Sequence, residues 1–356
     1  MIRRVKDSGG VAHGLPLFFI LSILILAGCG MKKEVRFAGR TMGTTYHITV
    51  ISEYFNDPSG LDHKIVQRLE EINRSMSTYL PDSEISRFNS MRRSDDAIKM
   101  SCDFLHVMIM ARDLFVMTKG CWDGTVKPLV DLWGFSKPAV QQTVPADEKI
   151  RQITEQIGFG KIQIDDDGYL SKKNDGLGLD LGSIAKGYAV DQIAELIRAD
   201  GWTDFLVEIG GEVYASGLRK DGKQWKVGVN LPDPNAASDQ VYKVVNLKDG
   251  ALATSGDYRN FFKLGQKHYS HVIDPRNGYP VNNGVVSVSI ITDTCTLADG
   301  LATAVMVMGR EKGLELVNRL DGVECLIISK GQNGGLIDHY SSGFKLNIEG
   351  ISSILN

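Results

Sequence analysis

The sequence predicts an α+β protein with a largely antiparallel sheet core and flanking helices. Strand-like runs follow one another from Phe205 to Ile291 with hairpin turns between them. The helical patterns do not alternate with strands, as a doubly wound parallel sheet would require. Composition agrees: 43% hydrophobic and 23% charged residues over 356 positions suit a chain that buries a core. The 38 glycines follow no tripeptide period and belong to loops. A formal charge of −3 supplies no broad basic field, which disfavours a nucleic-acid partner.

In chain order, Arg3, Arg4 and Lys6 precede an apolar run from Leu15 to Leu26. At about twelve residues it is short of the roughly 20 that span a bilayer, and it has the layout of an export signal. Leu26-Ala27-Gly28-Cys29 has the form of a lipobox, so residues 1–28 are expected to be removed and Cys29 acylated. The alternative is an ordinary signal or membrane anchor with an incidental cysteine. No long linker, repeat or low-complexity tract divides residues 29–356, which are expected to form one unit with a core at about 40–310.

Val35 to Ile51 mixes alternation with β-branched residues and predicts strand, broken at Gly39 to Gly43. Leu61, Ile65, Leu69 and Ile72 put one apolar face on a helix. A second helix is expected over about 101–118, stopped by Gly120, and a third after Pro145, ending at Gly158. Lys161 to Ile164 and Tyr169 to Ser171 predict a hairpin through Asp165-Asp166-Asp167-Gly168. That acidic turn lacks the ligand series of a calcium loop. Further helices follow Gly182 as far as Ala199 and span about 296–308, before a strand-rich tail with Cys325 to Ser329. Cys102, Cys121, Cys295 and Cys325 form no C-x-x-C pair. Disulfides are open to an exported chain, but Cys102 and Cys295 sit in apolar helical patterns that favour buried free thiols.

Two glycine patterns invite a nucleotide reading. Gly217 to Lys223 begins like a P-loop, but Gln224 stands where Ser or Thr would bind magnesium, and Asp221-Gly222 predicts a hairpin turn. Gly176 to Gly182 has one residue too many for a dinucleotide loop, yet it precedes a helix whose N-terminus could meet a phosphate.

Three polar constellations carry more. Asp180, Ser183 and Lys186 gather a carboxylate, a hydroxyl and a cation at a helix start. Asp299 and Thr303 lie one turn apart beside small alanines, where an oxygen-preferring metal could reach both; a solvated or capping Asp and a helix-bonding Thr is the plainer alternative. His271 to Gly278 is a strand ending in an Asp-Pro turn, which accounts for Asp274 and Gly278 and leaves His271 available for proton transfer.

These stretches stand in order with others: Thr41 to Tyr46, Met76 to Asn89, Trp122 to Val130, Asp180 to Ala189, Gly210-Gly211-Glu212, Ala253 to Tyr258, His271 to Gly278 and Ala298 to Ala304. In this series the chain resembles the ApbE family of exported, magnesium-dependent FAD:protein FMN transferases. The resemblance implies that Met42, Tyr79, Cys121, Trp122, Asp123, Asp180, Lys186 and Ile273 line an FAD site. It implies a Mg2+ held by Asp299, Thr303 and an oxygen of Ser183, its backbone carbonyl. Cys121 departs from the small or apolar residue expected there, and Gly300 stands where the family often has Ala, a change expected to fall on a tolerant face.

The implied chemistry is attack by a Ser or Thr hydroxyl of a client on the FMN-side phosphorus of FAD, with AMP leaving. Magnesium and Lys186 would neutralise the phosphates. His271 is the first candidate base and Asp257 the second; His47, His63 and His106 fall on structural positions. Clients are expected among subunits of membrane redox complexes, which points to the periplasmic side of the inner membrane. An FAD pyrophosphatase giving FMN and AMP, or a non-catalytic flavin-binding lipoprotein, are the competing expectations.

Overall fold

The computed structural model describes residues 32–347 except 94, 96, 137–142, 238–239, 259–260 and 266; the signal segment and Cys29 lie outside the described residues. Eight strands form one sheet in which every pairing is antiparallel. In sheet order these are β1 (Lys32–Thr41), β2 (Thr44–Glu53), β6 (Phe205–Ile209), β7 (Glu212–Ser216), β10 (Gly250–Gly256), β13 (Val285–Thr292), β14 (Glu324–Lys330) and β15 (Leu336–Tyr340). Smaller sheets join β3 (Ile98–Lys99), β5 (Tyr169–Lys172) and β4 (Ile162–Ile164), β8 (Trp225–Asn230) with β9 (Val241–Leu247), and β11 (Phe261–Leu264) with β12 (Lys267–Ser270). The predicted fold class is the observed one.

Alternation decides which face each strand presents. Phe205, Val207 and Ile209 of β6 are buried against the helices, while Leu206 between them packs on the opposite side. The helical layer holds α1 (Leu61–Met76), α3 (Cys102–Met117), α6 (Ala185–Ala199) and α7 (Cys295–Met308). The predicted stripe Leu61, Ile65, Leu69 and Ile72 is buried in its core. On the other face β8, β9 and Phe344 cover Val213, Ala215, Leu252 and Leu326. A third cluster, Leu129, Trp133, Ile150, Ile157, Phe262 and Ile273, joins α4 (Lys127–Leu132) and α5 (Asp147–Thr154) to the β11–β12 hairpin.

Local chemistry sets the ends. Ser101 caps α3 by accepting from the Phe104 amide, and Gly120 stops it at φ +75°. The Asp165 carboxylate accepts from the amides of Asp167 and Tyr169, so the acidic run is a hairpin turn.

Several expectations change. The break between β1 and β2 is only Met42-Gly43; Gly39 lies inside β1, where a Cβ would stand 2.7 Å from the Tyr46 ring that crosses it. Asp221-Gly222 turns between β7 and β8, which belong to different sheets, so it is not a hairpin. The four described cysteines are free thiols, but Cys102, first in its helix, is exposed; the other three are buried. Gly300 faces α3, and a Cβ there would come within 2.2 Å of a Leu114 methyl, so Ala at this position requires that side chain to shift. Short helices α2 (Glu84–Ser90), α4 and α8 (Arg310–Val317) lack the length for a periodic signal.

α6 and α7 approach closely and cap each other. Asp191 of α6 accepts from the amides of Cys295 and Thr296, at 2.7 and 2.8 Å, and from the Thr296 hydroxyl. Asp299 of α7 accepts from the Gly187 amide at 3.0 Å. Each helix thus satisfies orphan N–H groups of its neighbour. A Cβ on Gly187 would lie 2.3 Å from the Cys295 carbonyl oxygen, against backbone that cannot swing away. Gly187→Ala is therefore expected to destabilise the protein by about 1–3 kcal/mol, read as a lower midpoint in denaturant titration. An unchanged midpoint would mean that the two helices separate freely.

Candidate active site

A cleft of about 1260 Å³ opens where the ends of β7 and β10 meet α6 and α7. Its floor holds the charged groups. Lys186, in the first turn of α6, places Nζ 2.6 Å from Oε1 of Glu212, the first residue of β7, and 3.9 Å from Oδ1 of Asp299. Glu212 and Asp299 are both buried. Burial alone would lower the Lys186 pKa, but the two carboxylates outweigh it and hold the ammonium above its ordinary value. Burial pushes Asp299 up, opposed by Lys186 and the Gly187 amide. Glu212 is pushed up to about 7, again chiefly by burial. Its Oε2 has no hydrogen-bond partner among the described residues.

Two acids around one lysine leave the floor short of positive charge. The nearby oxygens are hydroxyls: Thr303 Oγ1 lies 2.9 Å from Ser255 Oγ, and Ser183 Oγ accepts from the Trp122 indole at 3.0 Å. Among the described residues no group of three or more His, Cys, Asp or Glu gathers, so a cation here would rest on Asp299 with hydroxyl and carbonyl oxygens. That is a hard donor set of the kind Mg2+ prefers.

Of the residues singled out in the sequence, Tyr79, Cys121, Trp122, Asp123, Asp180, Ser183, Lys186, His271, Ile273, Asp299 and Thr303 line this cleft. Tyr79 stands at the rim, 86% exposed, where its ring can cover a ligand. Asp123 is buried and accepts from the Thr125 amide and hydroxyl, at 2.8 and 2.7 Å, so its carboxylate braces the turn before α4. Asp180 accepts from the Gly182 amide at 2.9 Å and gives its own N–H to Gly124, tying the glycine-rich loop to that turn. His271 meets Phe135 edge-on, with ring centroids 6.5 Å apart. The neighbouring Asp274 carboxylate is taken by the Arg276 guanidinium and backbone amide and by the Asn277 side chain.

Met42 and Asp257 are not among the lining residues. Met42 sits in the β1–β2 turn at φ +49° and packs against the main core. Asp257 follows β10 between two lining residues, and burial pushes its carboxyl up to about 6. Sequence reasoning left Glu212 and Ser255 without roles. The signal for Glu212 was Gly210-Gly211, whose φ of +65° and +105° make the turn that returns the chain into the floor.

The pKa of Glu212 has a consequence for stability. A folded-state value raised above the unfolded 4.5 contributes stability that is present below pH 4.5 and lost as pH rises through about 7. In metal-free protein, the melting temperature of Glu212→Gln relative to wild type should therefore increase between pH 5 and 8. A difference that stays flat across that range would show that Glu212 does not titrate there.

The cleft is larger than most small-ligand pockets, and the lysine held charged at its floor gives it a fixed cation to face an anionic ligand. The particular family is settled by comparison: the ApbE family model matches residues 42–327, and the chain belongs to that family. It is 41% identical over 335 residues to the FAD:protein FMN transferase of Vibrio cholerae, covering 92% of this chain and 97% of that protein. Its identity to the enzyme of the same name from Haemophilus influenzae is 36%, over 90% and 94% of the two chains. The solved structure of the Vibrio cholerae flavin transferase ApbE superposes with a TM-score of 0.79 at 39% identity, covering 89% of this chain and 99% of that one. The apo Pseudomonas stutzeri flavinyl transferase ApbE gives 0.79 at 32% identity, over 90% and 98%.

Proposed function

We propose that this protein transfers the FMN part of FAD to a Thr or Ser hydroxyl of a client protein, with Mg2+, and releases AMP. The observation that carries the reading is the Lys186–Glu212–Asp299 cluster at the floor of a cleft of about 1260 Å³. The client oxygen forms a bond to the FMN-side phosphorus while the bond from that phosphorus to the bridging oxygen breaks. AMP leaves with the bridging oxygen. His271, in the cleft wall, takes the hydroxyl proton. Lys186 faces the phosphates, and Tyr79 covers a ring of the substrate at the rim. Asp299, Thr303 and the Ser183 carbonyl would hold Mg2+; the Ser183 hydroxyl is already engaged by Trp122. When bound, the ion supplies charge neutralisation for two adjacent phosphates.

The same proposal places the enzyme outside the cytoplasm, held through lipid on Cys29 at the periplasmic side of the inner membrane, with subunits of membrane redox complexes as clients. Among the described residues no helix is long and apolar enough to cross a membrane.

The test is incubation of the full chain with FAD, MgCl2 and a polypeptide bearing an exposed Thr, followed by intact-mass analysis and AMP assay. The polypeptide should gain the mass of FMN less one water, with one AMP per adduct. AMP and FMN beside an unmodified polypeptide would indicate a pyrophosphatase. Tight FAD binding indifferent to magnesium, without AMP, would indicate a binding protein.

A further inference from the structure

The end of the sheet remote from the cleft carries an unusual exposed feature. Lys32 of β1 is paired with Glu53 of β2, and the next two residues, Tyr54 and Phe55, project into solvent at 55% and 86% exposure. Their rings meet edge-on with centroids 5.4 Å apart. Cys29 precedes Lys32 by three residues, a reach of at most about 11 Å even for a fully extended chain. Lipid on Cys29 would therefore hold the membrane against this end of the sheet.

We propose that Tyr54 and Phe55 insert into the interfacial layer of the lipid bilayer, so that the sheet stands on the membrane with its cleft facing away. The proposal rests on the Cys29 anchor. Tyr54, with one polar edge, suits the headgroup level and the wholly apolar Phe55 suits the acyl boundary beside it, and lipid attachment nearby lowers the entropic cost of reaching it. The lysines nearest the rings are already paired: Lys32 with Asp204 at 2.7 Å, Lys33 with Asp57 at 3.4 Å, and Lys64 with Asp200. The contact is thus apolar rather than electrostatic and does not require anionic lipid.

The orientation follows from strand register. Tyr46 of β2 pairs with Ile209, beside the Gly210 turn that lines the cleft, whereas Glu53 lies at the other end of the same strand. Seven residues of antiparallel strand separate these rows by roughly 24 Å. The acceptor hydroxyl of a client must then lie on a segment that rises that far above the lipid, such as a soluble domain, and not at the bilayer surface.

The test uses the full acylated chain in phosphatidylcholine vesicles with dibrominated acyl chains. Phe55→Trp supplies the probe, since the native tryptophans Trp122, Trp133, Trp202 and Trp225 are all buried. Val241→Trp, exposed at the cleft-side end of the β8–β9 ribbon, is the control. The indole at 55 should shift to the blue and lose about twofold or more of its emission, unchanged by added phosphatidylglycerol or high salt, while that at 241 is unaffected. Vesicle-bound protein without quenching at 55, or with equal quenching at both positions, overturns the orientation and leaves the anchor standing. Failure to float with vesicles, as expected of Cys29→Ser, would overturn the anchor and this proposal together.

Discussion

Replacing Asp299 by alanine is expected to lower FMN transfer by about three orders of magnitude or more, while the protein stays folded. The rate follows from charge: metal stabilisation of phosphates is worth several kcal/mol, and every 1.36 kcal/mol is about tenfold in rate. Asp299 is the ionic member of the proposed ligand set and is buried beside Lys186. Folding survives because Leu301, Val305 and Ala302 keep α7 in the core. Alanine also strips the Gly187 amide of its acceptor, a loss of about 1–3 kcal/mol. Asp299→Asn separates the two effects, since its carbonyl oxygen can still accept from Gly187 while the charge is gone. Both variants should lose transfer, and only Asp299→Ala should lose melting temperature. Full transfer by Asp299→Asn at limiting magnesium would remove the metal from the mechanism.

His271→Ala should slow transfer by roughly 10² to 10⁴, the usual contribution of a general base, and leave FAD affinity close to wild type. In the proposed mechanism binding rests on Lys186, Tyr79 and the cleft walls, and the imidazole serves the client proton. A base must be neutral to accept it, so wild-type transfer is expected to fall on the acid side of its pH profile, and the variant should lack that acidic limb. Equilibrium titration with FAD and a pH profile of single-turnover transfer check both points. If affinity falls in proportion to transfer, His271 is a ligand contact or a structural residue. Asp257 then becomes the candidate base; it lies outside the residues that line the cleft, and a client would have to bring its hydroxyl toward β10.

The long helices were readable because burial of one face imposes a period, as in Leu61, Ile65, Leu69 and Ile72, and because Ser101 and Gly120 mark the ends of α3. Short helices such as α4 have too few turns for a period, and their place depends on what packs over them. The strand break also could not be localised, since a glycine inside a strand and a glycine in a turn look alike until the crossing Tyr46 ring is seen. In the site, Asp299 and Thr303 were legible as one helix face. Glu212 was not, because its chemistry depends on Lys186, 26 residues earlier in the chain.

By itself the sequence determined the antiparallel α+β class, the principal helices, the family and eleven of the residues that line the cleft, because each of these is written in local order, spacing or motif. Tertiary structure alone decided that Asp191 and Asp299 cap each other's helices, that Gly187 is needed where α6 and α7 touch, and that Glu212 is buried with a raised pKa beside Lys186. Those properties arise from desolvation and from distances between segments far apart in the chain. Both are consequences of packing that no local pattern contains.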